Sequence, residues 1–234
     1  MMEFMPRTAR AAIGGIVYHV LNRGNNRMPI FHKSQDYEAF IKLLVEGKEH
    51  AQIELFSFCL MPNHWHLVLR PKEDDDMSAY LSWVTNTHVK RYRAHYSDTS
   101  GHLYQGRYKS FPVEDDEYLV ALLRYVESNP LRARKVEKAQ DWTWSSFGFE
   151  GKLASKLLDP WPVDRPRNWA AIVNQAQKPT EVLQIRASIL RDRPFGTEEW
   201  TLITAAKMEI EYTLNPRGRP KKPDGQKSET TIKH

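Results

Sequence analysis

The chain has 234 residues, 41% of them apolar, with 34 basic and 29 acidic side chains. That is room for one compact domain and a smaller appendage, and the apolar runs are far short of a membrane-spanning helix. The single cysteine, Cys59, excludes an internal disulfide, and the N-terminus lacks a secretory apolar region, so the reducing cytosol is the expected compartment. The net charge of +5 is unevenly spread, because six basic and two acidic residues fall from Asn215 onward. The body is therefore near neutral and needs a local basic face if it is to hold nucleic acid.

Residues 1–12 form a loose basic leader with Arg7 and Arg10. The β-branched and aromatic run from Ile16 to Leu21 predicts a first strand. It ends in Asn22-Arg23-Gly24-Asn25-Asn26-Arg27, a turn cluster that is either a solvated loop or a loop contacting bases and phosphates. Ser34 or Asp36 caps a helix to about Glu49, with Phe40, Leu43 and Leu44 on its buried stripe. Two strands follow, Ile53–Met61 and His64–Arg70, broken by the Pro62-Asn63 corner. Alternation puts His64 and His66 on one face, about 7 Å apart along the strand, and Trp65 on the other. Two such imidazoles can share a divalent metal, or they are two satisfied histidines on a half-polar strand.

The acidic run Glu73–Asp76 reads as the favourable N-terminus of a helix from Met77 to about Tyr96 rather than as a metal site. That helix ends in Lys90, Arg91, Arg93 and His95 interleaved with Tyr92 and Tyr96, which is either dipole compensation or a single-strand groove. Residues 101–113 then run from a loop into a strand, with Arg107 and Lys109 on one face. The order β-α-β-β-α-β with a last helix predicts an α+β fold, a ferredoxin-like antiparallel sheet with helices on one face and the other free for a site.

Asp115 or Asp116 caps the next helix, expected to reach Asn129 and stop at Pro130. Leu119, Leu122, Leu123 and Val126 form its apolar stripe, while Tyr125 and Asn129 share one flank at i and i+4. By itself Tyr125 reads as a boundary aromatic. Beyond it, Trp142–Phe147 is expected to pack back over the core, and Pro160–Pro166 is a connector. Helices over Thr180–Arg191 and Thr197–Ile210 form either a helix-turn-helix or a plain α-hairpin. The tail holds Arg217-Gly218-Arg219-Pro220, which resembles a minor-groove AT-hook or is a generic basic tail. The expected division is 1–140, a helical region 141–214 and a basic tail 215–234.

Three stretches carry a family resemblance. Phe58-Cys59-Leu60-Met61-Pro62-Asn63-His64-Trp65-His66-Leu67-Val68-Leu69-Arg70-Pro71 resembles the histidine–hydrophobic–histidine (HUH) nucleases, most closely the REP-associated tyrosine transposases. Tyr18-His19-Val20 with Asn22-Arg23-Gly24-Asn25 is similar to that family's opening strand and loop. Tyr125-Val126-Glu127-Ser128-Asn129-Pro130-Leu131-Arg132-Ala133 is similar to its nucleophile motif, with Asn129 where the insertion-sequence relatives usually have Gln. The resemblance implies an HUH nuclease core with Tyr125 as nucleophile and His64, His66 and Asn129 as ligands of Mg2+ or Mn2+. Its implied substrate is single-stranded hairpin DNA of a repetitive extragenic palindrome, cut through a 5′-phosphotyrosine intermediate. Asn22, Arg23, Asn25, Arg27, Arg107 and Lys109, with Arg217 and Arg219 of the tail, are the candidate DNA contacts. The expected protein is a monomer or homodimer in the nucleoid, with no membrane partner and no nucleotide cofactor. Two rivals remain at this stage, a hairpin-binding protein that does not cut and a phosphodiesterase using water.

Overall fold

A computed structural model describes residues 12–97 and 101–215. Its centre is a four-stranded antiparallel sheet made of β1 (Val17–Arg23), β2 (Ile53–Met61), β3 (His64–Pro71) and β4 (Lys109–Val113). The spatial order is β2-β3-β1-β4, so the histidine-bearing β3 lies inside the sheet with β1 beside it. The register sets Leu21 opposite His66 and Arg23 opposite His64, and on the other side Leu21 opposite Lys109. This is the expected α+β architecture.

One face of the sheet is covered by α1 (Ser34–Gly47) and α2 (Asp76–Tyr96). Val20, Phe58, Leu60, Trp65 and Leu67 point into that layer and meet Phe40, Leu44, Tyr80 and Leu81, all fully buried. Side chains of this size each stabilise the fold by roughly 1.5–3 kcal/mol when taken out of water. The polar atoms of the layer are accounted for as well. Trp65 Nε1 donates to the Tyr104 hydroxyl at 3.1 Å, and that oxygen lies 2.6 Å from His88 Nδ1 on α2. The loop before β4 is thereby tied to both the sheet and the helix.

The opposite face presents Val17, Cys59, Val68, Phe111 and Val113. Onto it folds α3 (Glu117–Glu127), whose stripe of Leu119, Leu122, Leu123 and Val126 is fully buried as the heptad-like spacing requires. Asp116 caps α3 through the Tyr118 amide at 2.8 Å. The chain does not stop at Pro130 as the sequence predicts. It bends at Ser128 (φ −86°, ψ 3°) and makes one more turn, α4 (Asn129–Arg132), with Pro130 in its first turn. A proline there loses no hydrogen bond, because first-turn amides have no intrahelical acceptor.

The rest of the chain closes both edges of the sheet. Leu60 N–H donates to Trp144 O at 2.8 Å and Ser146 N–H to Phe58 O at 2.9 Å, so the Trp142–Phe147 stretch lies along β2 as expected. At the other edge Phe195 N–H donates to Pro112 O at 2.9 Å and Glu114 N–H to Phe195 O at 3.0 Å. Open edges are templates for unwanted pairing, and here none of the four strands presents one fully to solvent. Short helices α5 (Lys152–Leu157) and α6 (Trp169–Asn174) are followed by α7 (Pro179–Arg191) and α8 (Glu198–Lys207), the last capped by Thr197. Among the described residues no helix is long and apolar enough to cross a membrane.

Candidate active site

The sheet face under α3 holds the histidines. His64 and His66 lie two residues apart on β3, with ring centroids 5.1 Å apart and an interplanar angle of 82°. The Tyr125 ring on α3 stands over them, 6.3 Å from His66 and nearly perpendicular to it at 81°. Asn129 is half-buried one helical turn beyond Tyr125, on α4. The loci singled out on β3 and α3, more than fifty positions apart in the chain, thus meet on one side of the sheet.

The hydrogen bonds around the imidazoles fix what each ring can offer. Asn63 Nδ2 donates to Arg27 O at 3.0 Å, which turns its Oδ1 toward His64 Nδ1 at 2.7 Å. An oxygen acceptor there requires the proton on Nδ1, so His64 Nε2 carries a bare lone pair. His66 Nδ1 lies 2.9 Å from Nε2 of His19, a residue of β1 whose ring stacks on it with centroids 5.1 Å apart. Neither His64 Nε2 nor His66 Nε2 is bonded to another described residue. Burial lowers the His64 pKa to about 4, with help from the Arg23 charge, and holds His66 well below the ordinary value. Both rings are therefore neutral at physiological pH, the state a metal ligand needs.

No group of three or more His, Cys, Asp or Glu among the described residues is placed to hold a metal. The donor set that does exist is two neutral imidazoles with their second nitrogens already engaged, the arrangement that orients histidine ligands in metal sites. An amide oxygen from Asn129 would complete it with a third neutral donor. Such a set fits a dication whose charge is to stay largely unquenched.

The surroundings are cationic. The Arg132 guanidinium sits 3.9 Å from the Tyr125 ring centroid and bonds Ser128 Oγ, which itself donates to Arg124 O at 2.6 Å. Asn22, Arg23, Arg107 and Lys109 come together around a cavity of about 640 Å3 beside the histidines. Asn22 Nδ2 donates to Gly106 O at 3.3 Å, while Lys109 Nζ donates to the carbonyls of Ile189 and Leu190 at the end of α7. Asn25 and Arg27 lie on a tight 3₁₀ turn at the same end of the sheet, with Arg27 at φ 61°. Gly24 permits that turn, since a Cβ there would fall 2.2 Å from Met28 O. Arg217 and Arg219 lie outside the described residues.

The sequence did not mark three members of this environment. His19 stood inside a quoted stretch, but its inward face is useful only because β1 pairs with β3. Arg132 belongs to the quoted nucleophile motif and stands two helical turns after Tyr125, an alignment hidden by the expected helix end at Pro130. Arg186 of α7, which lines the basic cavity, had no signal at all.

Comparison with known proteins shows the family and the fold. The sequence matches the family described as Transposase IS200 like over residues 12–129, which includes His64, His66, Tyr125 and Asn129. A protein of Haemophilus influenzae named as a REP-associated tyrosine transposase is 26% identical over 110 residues, or 42% of this chain. The match spans 61% of that relative's length. A solved structure of a REP-associated tyrosine transposase bound to a REP hairpin superposes with a TM-score of 0.52 at 19% identity. That alignment covers 71% of this chain and 96% of the other, and at such identity it speaks for the fold. On the family match over half its length, this chain belongs to the IS200-like transposases.

Proposed function

We propose that this protein is a single-tyrosine DNA strand transferase that cuts single-stranded hairpin DNA and joins itself to the 5′ end. The observation that carries the reading is the edge-on contact of the Tyr125 ring with His66, 6.3 Å between centroids, beside the His64–His66 pair. The hairpin substrate is taken from the relative whose structure holds a REP hairpin.

In this reading the Tyr125 oxygen forms a new O–P bond to the scissile phosphate and gives up its phenolic proton. The bond from phosphorus to the 3′ oxygen breaks, and that oxygen leaves as a hydroxyl after taking up a proton. The phosphodiester becomes a 5′-phosphotyrosine ester of similar energy, so the step reverses and permits rejoining to a second strand without ATP. A free tyrosine has a pKa near 10 and is a weak nucleophile. Arg132, over the ring face, favours the negative charge that develops on it. His64, His66 and Asn129 would hold Mg2+ or Mn2+, which when bound polarises the phosphate and orients it for in-line attack. His19 and Asn63 fix the ring orientations of the two histidines. Arg23 and Arg107 hold the flanking strand by its phosphates.

The test is a denaturing gel after incubation of the protein with single-stranded hairpin oligonucleotides and Mn2+ or Mg2+. A covalent protein–DNA adduct in wild type that disappears in Tyr125→Phe is the expected result. Hairpin binding without any adduct would instead identify a binding protein. Cleavage retained in Tyr125→Phe would identify a phosphodiesterase that uses water.

A further inference from the structure

The family match ends at residue 129, yet one wall of the basic cavity comes from much later in the chain. The floor and near side are Leu21, Asn22 and Arg23 at the end of β1, and the loop Gln105–Arg107 rises opposite. The far wall is the last two turns of α7, with Arg186, Ile189 and Leu190. At about 640 Å3 the space lies within the range of about 300–1,000 Å3 for sites that enclose a small organic group. Among the described residues no Asp or Glu lines it.

This wall is built into the fold rather than laid against it. Ile185 of α7 is fully buried in the core beneath α3. Lys109 Nζ on β4 caps the helix end through the carbonyls of Ile189 and Leu190 at 3.2 and 3.4 Å. Immediately after α7, Phe195 pairs with the outer edge of β4. Arg186 therefore projects from a helix held at three points.

Arg186 is exposed and makes no hydrogen bond or ion pair among the described residues, and Arg23 Nε across the cavity is buried with no partner. The pair reaches the reacting groups electrostatically. Burial is the main cause that holds the Arg132 guanidinium below its ordinary pKa, and the charge of Arg186 lowers it further. Arg23 stands directly opposite His64 in the β1–β3 register.

We propose that α7 completes the DNA groove of this protein, with Arg186 and Arg23 gripping a backbone phosphate of the single strand next to the scissile one. Leu21, Ile189 and Leu190 supply the apolar surface on which that nucleotide's base or sugar rests. This rests on the strand-transfer reading above, and it makes the C-terminal region part of the substrate site.

The test uses the full-length protein and two probes, a fluorescein-labelled oligo(dT) strand and a hairpin carrying a single-stranded flank. Binding is followed by anisotropy across a salt series for wild type, Arg186→Ala, Arg186→Lys and the remote exposed control Lys156→Ala. The expected loss for Arg186→Ala is about tenfold in affinity, with the slope of log K against log salt reduced by roughly 0.7, the loss of one single-strand phosphate contact. Arg186→Lys keeps the wild-type slope, and Lys156→Ala behaves as wild type. A merely structural role for Arg186 would change the melting temperature and leave the slope alone, which would overturn the proposal. Wild-type binding with an unchanged Arg186→Ala slope would overturn it too, and leave the strand-transfer reading standing. No binding of either probe by wild type would bring down both.

Discussion

His19 Nε2 on β1 lies 2.9 Å from His66 Nδ1 on β3, and their rings stack at 26°. The ring of Phe111, with its centroid 4.9 Å away, covers the other side of His19, and His19 Nδ1 is buried without a partner. A ligand bond at His66 Nε2 requires the proton on His66 Nδ1, and among the described residues only His19 is there to accept it.

The consequence is measurable without catalysis. His19→Phe preserves an aromatic ring beside Phe111 but removes the acceptor, so His66 loses the partner that orients it. Mn2+ affinity by titration calorimetry should fall about 10-fold or more, the usual cost of losing such a partner. His19→Gln, which can still accept, should lose less. Equal affinity in wild type and His19→Phe would show that β1 does not support the metal.

Arg132 invites a separate test. Its guanidinium is packed 3.9 Å from the Tyr125 ring centroid and held there by Ser128. A partly desolvated cation over an aromatic face contributes about 0.5–2 kcal/mol. Arg132→Ala should therefore slow single-turnover adduct formation by about 10-fold while hairpin affinity changes little. Arg132→Lys should recover part of the rate. A mutant whose affinity falls and whose rate does not would make Arg132 a DNA contact instead.

The reach of sequence reasoning divides at the tertiary level. The two central strands were legible almost to the residue, because β-branched and aromatic runs broken by Pro62-Asn63 leave few alternatives. The inward stripe of α3 followed from the helical period, whereas the bend at Ser128 puts Asn129 on α4 rather than on the helix that carries Tyr125. Pro130 misled, since a proline both ends helices and opens them, and only the bend at Ser128 decides between the two. His19 and Arg186 were invisible for another reason. Each acts through a neighbour brought close by strand pairing or helix docking, and no local period encodes that.

Acid should destabilise the fold earlier than its carboxylates alone would. Burial lowers the pKa of His19 and of His88 to about 3 and of His64 to about 4, and His66 is shifted the same way. In the unfolded chain these rings take up protons near pH 6.5. The unfolded state then binds more protons than the folded one, so stability is flat above pH 6.5 and declines as pH falls below it. Each histidine contributes at most about 1.4 kcal/mol per pH unit. Burial raises the Glu127 carboxyl pKa, which acts in the opposite sense, but one carboxyl opposes four histidines and the net decline is read from pH 6.5 to 5.5. Urea midpoints without metal should drop across it, and His88→Gln should show a shallower decline. A midpoint constant over that window would mean the rings are protonated in the folded state.

Glu127 connects α3 to the C-terminal region. It is buried on α3 two residues after Tyr125, with Oε1 accepting from Ser146 Oγ–H at 2.7 Å and Oε2 from Trp169 Nε1–H at 2.7 Å. Ser146 Oγ also lies 2.8 Å from Ser57 Oγ on β2, so one carboxyl ties α3, the β2 edge and α6 together. Glu127→Ala strands both donors in a closed site, where each unsatisfied group costs about 1–3 kcal/mol. The expected loss in urea unfolding is about 2–4 kcal/mol, with Glu127→Gln losing less because its carbonyl still accepts one bond. The functional outcome separates two roles for this tie. If it only stabilises the fold, Glu127→Gln forms adduct at the wild-type rate once folded. If it aims Tyr125 at the histidines, the rate of adduct formation falls in Glu127→Gln while hairpin affinity does not move. Tyr125 lies only two residues before Glu127 on α3, so a shift of the tied backbone moves its ring, which favours the second.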